Sequence, residues 1–184
     1  FKTHPNIDKA LYASSATLGL RDASRSFPTG SPLGVLKWRF QSTDEALLPL
    51  LVTCWPTPTA DGGFDVTLEY ELADGAELRD VRIVIPMGAP PASVSPGAGD
   101  ASYSRRDGGL VWAIDLIDGS QSSACCEFAH KSGGADELFP IRVSFTSPTP
   151  MCAIDVPEVK SVETGAPIQF AKSARLVVDS YTVG

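Results

Sequence analysis

The clearest periodicity lies at residues 64–72, where Phe64, Val66, Leu68, Tyr70 and Leu72 alternate with Asp65, Thr67, Glu69 and Glu71. Side chains two apart share one face of a strand, so this run predicts a half-buried β-strand. Leu36, Trp38 and Phe40 alternate with Lys37, Arg39 and Gln41 in the same way, and Val81, Ile83 and Ile85 form a third run closed by Pro86. Tyr103–Arg106 and Leu110–Leu116 flank Asp107-Gly108-Gly109, a hairpin signal with glycine available for positive φ. Further strands are predicted around Cys126 and Phe128; Ile141, Val143 and Phe145; Cys152, Ile154 and Val156; Ile168 and Phe170; and Ala174, Leu176 and Val178. That makes about ten strands separated by turn residues, the signature of an all-β sandwich. The apolar spacing across residues 7–20 is irregular and predicts no helix, and residues 88–99, dense in Ala, Pro, Ser and Gly, read as an exposed loop.

Composition narrows the class. The 184 residues carry 15 Lys+Arg against 22 Asp+Glu, a formal charge of −7, and 43% are hydrophobic. That fraction suits a globular domain and is too apolar for a disordered chain. The longest apolar run, residues 47–52 with Pro49 inside it, falls far short of the roughly 20 residues of a membrane-spanning helix. Arg105-Arg106 is the only adjacent basic pair, so the clustered cations that hold nucleic acid are missing. No signal peptide is visible, and the start at Phe1 rather than Met reads as a piece trimmed from something longer. Cys54, Cys125, Cys126 and Cys152 have no C-x-x-C spacing, and the only asparagine, Asn6, is not in a glycosylation sequon. These features favour a reducing, cytosolic setting with free thiols, two disulfides being the alternative.

Candidate chemistry is sparse. The histidines are His4 and His130, and no G-x-S-x-G elbow or Walker sequence accompanies them. Cys126 and His130 could share a strand face as a nucleophile and base, but a buried thiol beside a surface imidazole in the Lys131-Ser132-Gly133-Gly134 turn is the expected arrangement. Gly97-Ala98-Gly99 lacks the third glycine of a dinucleotide loop. Asp44-Glu45 and Asp136-Glu137 fall in turn-like contexts, where solvated charge is the default. We therefore predict no catalytic residue, metal site or cofactor. Trp38 and Trp112 sit mid-strand on apolar faces and are expected in the core. Trp55 in Cys54-Trp55-Pro56 is expected to pack as well, with Pro56 stopping the ladder. Lys37 and Arg39 form a candidate basic rim for an acidic peptide, and Arg105-Arg106 is a second. A sandwich with this inventory points to a binding module that captures peptides, for example by strand addition.

The linear order of short motifs carries a resemblance. Thr3-His4-Pro5-Asn6, Ser26-Phe27-Pro28, Gly34-Val35-Leu36-Lys37-Trp38-Arg39 and Cys54-Trp55-Pro56 occur in series. Asp65-Val66, Glu69-Tyr70-Glu71-Leu72, Val84-Ile85-Pro86, Ser104-Arg105-Arg106, Phe139-Pro140, Val143-Ser144-Phe145, Leu176-Val177-Val178-Asp179 and Tyr181 follow. Together they resemble the C-terminal mu-homology domain of the delta subunit of coatomer, the COPI vesicle coat. The resemblance implies an elongated, immunoglobulin-like β-sandwich of two interleaved subdomains, residues 1–43 and 148–184 forming subdomain A around an inserted subdomain B of residues 44–147. It also implies that the first strands of subdomain A precede Phe1, leaving a sheet edge open.

The implied function is non-enzymatic. It is that of a cytoplasmic coat subunit, peripheral on Golgi membranes and COPI-coated vesicles through the coat, in Golgi-to-ER retrograde transport. Implied partners are other coatomer subunits and tryptophan-based peptide motifs in ER tethering factors and Arf GTPase-activating proteins, with no cofactor and no nucleic acid. The resemblance maps no pocket residue by residue, so the peptide-binding residues stay unknown at this point. Clathrin-adaptor medium chains, which read tyrosine-based sorting signals with the same fold, use a Trp-x-Arg pair in their last strands, and residues 170–184 hold no tryptophan. A secreted carbohydrate-binding sandwich fits the composition alone.

Overall fold

A computed structural model of the chain describes residues 1–37, 42, 44–131, 133–152 and 154–184. It contains two compact units, Phe1–Asp44 and Glu45–Gly184. In the first, β1 (Lys2–Thr3) runs antiparallel to β2 (Leu36–Lys37), with Thr3 opposite Leu36. Between them lies α1 (Lys9–Ser15), a helix that the sequence pattern does not predict. Its start is fixed by Asp8, whose Oδ1 accepts from the amides of Ala10 (2.9 Å) and Leu11 (3.0 Å), and its end by Ala16 in the left-handed region at φ 52°. The helix buries no residue fully, so there is no apolar stripe for a 3.6-residue period to reveal; its caps and the edge-on contact of Tyr12 with Phe1 hold it. Asn6 ties the following loop down. Its Nδ2 donates to the carbonyls of Asp22 and Arg25, and its Oδ1 accepts from the Asp22 amide.

The second unit is a two-sheet sandwich. Its strands are β3 (Leu50–Pro58), β4 (Phe64–Leu72), β5 (Leu78–Pro86), β6 (Ser93–Pro96), β7 (Asp100–Ser104), β8 (Gly109–Ile117), β9 (Ser123–His130), β10 (Ile141–Ser147) and β11 (Leu176–Val183). One sheet has the order β11-β10-β5-β8-β7 and the other β3-β4-β9-β6, with antiparallel pairing throughout. The predicted alternation of β4 holds: Val66, Leu68, Tyr70 and Leu72 are buried while Asp65, Glu69 and Glu71 are exposed. These side chains meet Ile83, Ile85, Leu110, Trp112, Val143 and Phe145 of the facing sheet in one apolar core.

Several boundaries differ from the sequence reading. Residues 88–99 are not simply a loop, since β6 pairs there with β9. The strands expected at Cys152–Val156 and Ile168–Phe170 are irregular in the described residues, and β11 begins at Leu176, after Ala174. The hairpin between β7 and β8 turns through Arg105-Arg106-Asp107-Gly108, with Gly108 at φ 80°, so both arginines lie in the turn rather than on a strand. Of the run Leu36, Trp38 and Phe40, only Leu36 and Lys37 fall among the described residues, and Trp38, Phe40, Arg39 and Gln41 lie outside them.

Two bulges change the phase of the apolar pattern. In β5, Asp80 at φ 53° inserts an extra residue against β10, so inward side chains pass from Leu78 to Val81, Ile83 and Ile85. In β11 the register against β10 steps from Val178 opposite Phe145 to Tyr181 opposite Val143, which turns Tyr181 toward the core. Its hydroxyl donates to the Leu50 carbonyl of β3 at 2.6 Å, tying the two sheets together, and burial pushes the phenol well above its usual range. Replacing Tyr181 with Phe is expected to lower stability by about 1 kcal/mol, the usual worth of one such bond, measured by urea unfolding.

Candidate functional site

The possible catalytic arrangements do not assemble. Cys126 and His130 do share a face of β9, but four residues of extended chain separate them by about 13 Å. His130 is also not the surface imidazole expected from its neighbours. It ends β9 opposite Phe64, is 8% exposed, and its Nε2 has no partner among the described residues. Burial pushes the Cys126 thiol up to about 11, and the Cys54 thiol likewise, so neither supplies thiolate near neutral pH. All four cysteines are free thiols. At pH 8 the folded Cys54 and Cys126 are expected to alkylate about a hundredfold more slowly than unhindered thiols, and at normal rates in urea. Because both thiols titrate higher in the folded chain than the ordinary 9.0 of an unfolded one, stability is lost as pH rises from about 9 to about 11 and is unaffected below.

Gly97-Ala98-Gly99 serves structure. It is the corner where the chain passes from β6 in one sheet to β7 in the other. A Cβ on Gly97 would stand 2.8 Å from the Cys125 carbonyl, and Gly99 sits at φ 59° against the Ala113 carbonyl. The Ala98 carbonyl accepts from Trp112 Nε1 at 2.7 Å, which places Trp112 in the core as expected. Asp44, Asp136 and Glu137 are exposed, and among the described residues no group of three or more His, Cys, Asp or Glu is placed to hold a metal.

What the fold does build is a set of surfaces. At one end of the sandwich a largely apolar pocket of about 290 Å³ is lined by Leu47, Leu48, Pro49, Ala76, Met151 and Leu176, with Asp74 as its one charged lining residue among those described. Its lining comes from the turn before β3, the β4–β5 turn, the segment after β10 and the start of β11, so no single sequence window contains it. Leu47 and Met151 are 43% and 47% exposed at its mouth. Its size is at the lower end of the roughly 300–1,000 Å³ of ligand pockets, enough for one large side chain.

The two outward sheet faces differ in charge: one mixes arginines with aspartates and the other is acidic throughout. On the five-stranded sheet, Arg79 and Arg82 of β5 and Arg142 of β10 are exposed together with Asp100 of β7 and Asp115 of β8. Arg79 lies at one end of β5, opposite Leu116, and at the other end Arg82 and Arg142 reach the turn at residues 105–108. Asp107 organises that end: it pairs with Arg82 at 3.3 Å, its carbonyl accepts from Arg142 at 2.7 Å, and the Ser104 hydroxyl, then the arginines, holds its carboxyl below the usual range. On the four-stranded sheet the outward positions are Leu51, Thr53 and Trp55 of β3, Asp65, Thr67, Glu69 and Glu71 of β4, and Ser123, Cys125 and Glu127 of β9. Trp55 is here, 59% exposed rather than packed. Pro56 does not stop the ladder either, because β3 is an edge strand and continues opposite β4 to Pro58. Lys37 is exposed on β2, and Arg39 lies outside the described residues. The sequence signal for the end pocket is weak: Leu47 and Leu48 are legible only as an apolar run, and Met151 stands alone between prolines and cysteine.

A two-sheet β-sandwich with an apolar end pocket and an acidic outward face has the architecture that peptide-capturing modules also use. The chain is a member of the adaptor complexes medium subunit family, whose pattern it matches over residues 1–183. It is 37% identical over 187 residues to coatomer subunit delta of Dictyostelium discoideum, an alignment covering 100% of this chain and 33% of that protein. It is also 37% identical over 186 residues to coatomer subunit delta-1 of Oryza sativa subsp. japonica, covering 100% and 35%. The chain thus spans about a third of the length of these relatives. Among solved structures it is similar to the yeast delta-COP-I mu-homology domain, with TM-score 0.64 and 34% identity over 79% of this chain and 59% of that one. The same yeast domain complexed with a Dsl1 WxWxV peptide aligns with TM-score 0.65 and 33% identity, at the same coverage. The resemblance read from the motif order is therefore to the right branch of the family.

Proposed function

We propose that this chain is the part of a coatomer delta subunit that captures tryptophan-based motifs from partner proteins, without enzymatic activity. The observation that carries the reading is the likeness to the yeast domain complexed with a WxWxV peptide. A Trp-x-Trp segment in extended form presents both indoles on one side, and each indole brings a large apolar surface and one donor. The pocket at Leu47, Met151 and Leu176 is the place we assign to one of them. Arg175, exposed next to Leu176, offers a cation to acidic residues flanking the motif. Extended to the whole subunit, the proposal includes the other coatomer subunits, ER tethering factors and Arf GTPase-activating proteins as partners. It likewise includes a cytoplasmic location, peripheral on Golgi membranes through the coat, and a role in Golgi-to-ER retrograde transport. The interleaved division, with 1–43 and 148–184 around 44–147, belongs to the same proposal.

The test is calorimetric titration of the chain with a peptide carrying two tryptophans one residue apart among acidic residues. Leu47→Asp at the pocket mouth is expected to weaken binding about tenfold, since a charge placed against a desolvating indole forfeits part of its burial. Unchanged affinity in that variant would move the indole site elsewhere. A tyrosine-based signal peptide is expected to give no heat.

A further inference from the structure

We infer that the outward face of the four-stranded sheet is a docking surface for a basic, extended segment of a partner protein, anchored over Trp55. The observations are independent of the tryptophan-motif reading, and this face meets the end pocket at Asp74.

Trp55 is the starting point. Leaving a large aromatic side chain mostly in water forgoes the burial that places its counterpart Trp112 at 0% exposure. Leu51, on the same face of β3, is 46% exposed, so the edge strand carries an apolar rail with Thr53 between. The neighbouring strands supply charge of one sign. Leu51 lies opposite Glu71, Thr53 opposite Glu69, and Trp55 opposite Thr67, with Glu127 next along that rung. Asp65 and Glu69 are the diagonal neighbours of Trp55, at the roughly 7–8 Å that long side chains bridge. From the Leu51 end of the rail a groove of about 550 Å³ runs between Leu51 and Thr53 on one side and Glu69, Glu71 and Asp74 on the other, past Ser123 and Cys125 of β9, and Trp55 stands beyond its end on the same face.

None of Asp65, Glu69, Glu71 and Glu127 forms an ion pair with another described residue, and β3, β4, β6 and β9 contain no lysine or arginine. A row of unpaired carboxylates beside an exposed indole fits one chemistry: an ammonium or guanidinium seated over the ring and paired to a flanking carboxylate. The occupant is extended because the outward positions of β4, Asp65, Thr67, Glu69 and Glu71, recur every second residue, the spacing at which a strand repeats its own side chains. It is not a metal ion, since no three acidic groups converge. A second copy of this chain, docking through its arginine face, is the weaker fit: Arg79 and Arg82 there already pair with Glu77 and Asp107. An acidic peptide is repelled from this face, which separates it from the site proposed for tryptophan motifs.

The experiment uses a fluorescently labelled short peptide in which lysine alternates with threonine, titrated into the chain at low salt and followed by anisotropy. Saturable binding that weakens at least tenfold between low and physiological salt is expected. Glu69→Lys combined with Glu71→Lys is expected to remove binding, Trp55→Ala to weaken it about tenfold, and Trp55→Phe to retain most of it. All variants should keep the parent far-ultraviolet spectrum and their response to the tryptophan peptide, so failure here leaves the proposed function untouched. Absence of saturable binding to the parent chain, or equal affinity in the charge-reversed variant, overturns the proposal. So does sedimentation showing a dimer that Arg142→Glu dissolves, which would assign the face to a second copy.

Discussion

A peptide carrying two tryptophans one residue apart is expected to bind this chain with a Kd in the micromolar range, about −8 kcal/mol, and its double Trp→Ala counterpart to give no saturable heat. The size of the difference follows from where the energy of a short peptide resides. Large aromatic anchors that enter a pocket typically cost 2 kcal/mol or more each when truncated, while flanking residues contribute little. Losing two such anchors removes about 4 kcal/mol, roughly a thousandfold, and moves a micromolar complex beyond what calorimetry detects. Acidic flanks act mainly through encounter, so raising the salt should weaken the parent peptide only a few-fold. Equal heats from the parent and the alanine peptide would remove tryptophan recognition and leave only the family membership and fold standing.

The second large effect is in the core. Trp112→Ala is expected to destabilise the domain by about 3–5 kcal/mol, a sizeable part of the roughly 5–15 kcal/mol that holds a domain together. Trp112 sits in the middle of β8, opposite Ile83 of β5 and Ala101 of β7, fully buried, with its ring 5.4 Å from that of Tyr70 across the sandwich. Truncation opens a cavity between the two sheets that neither ladder can close without breaking its register. It also leaves the Ala98 carbonyl without the indole donor, at the corner where the chain changes sheets. Trp112→Phe keeps most of the apolar surface and should cost about 1–3 kcal/mol, chiefly that orphaned carbonyl and lost volume. Trp55→Ala, by contrast, should stay within about 0.5 kcal/mol of the parent. Urea unfolding followed by circular dichroism distinguishes the three, and a small effect at Trp112 would contradict the packing described here.

The two tryptophans also show how far the sequence could be read. Both lie in strands, and the local sequence predicts packing for both. Alternation decided Trp112, because Leu110, Ile114 and the residues between them leave that side chain only the inner face. For Trp55 the local pattern Leu51, Thr53, Trp55 mixes apolar and polar positions on one face, and only the pairing of β3 at an edge, with Leu50 and Val52 turned inward, settles that it faces water. His130 is the reverse case. Its neighbours Lys131, Gly133 and Gly134 are turn-like and exposed, yet its own place in the β9 register buries it.

By itself, the sequence determined the class of the fold, the strands with unbroken alternation at β4, β9 and β10, the place of the β7–β8 turn, and, through the order of its motifs, the family. These depend on neighbours along the chain or on strings of residues, both of which a linear text contains. In β8 the alternation holds from Leu110 to Ile114 and then shifts phase, leaving Leu116 exposed and Ile117 buried. Tertiary structure alone decided the rest. The phase changes at Asp80 and ahead of Tyr181 arise from pairing with β10, and no local period records a bulge that only a partner strand enforces. The helix at Lys9–Ser15 depends on a cap rather than a buried stripe. The end pocket joins Leu47, Met151 and Leu176, which are brought together only when β10 and β11 close beside the turn leading into β3. The arginine-free acidic face of the four-stranded sheet emerges only when side chains distant in sequence are sorted onto separate sheets, a sorting that the chain's net charge of −7 conceals.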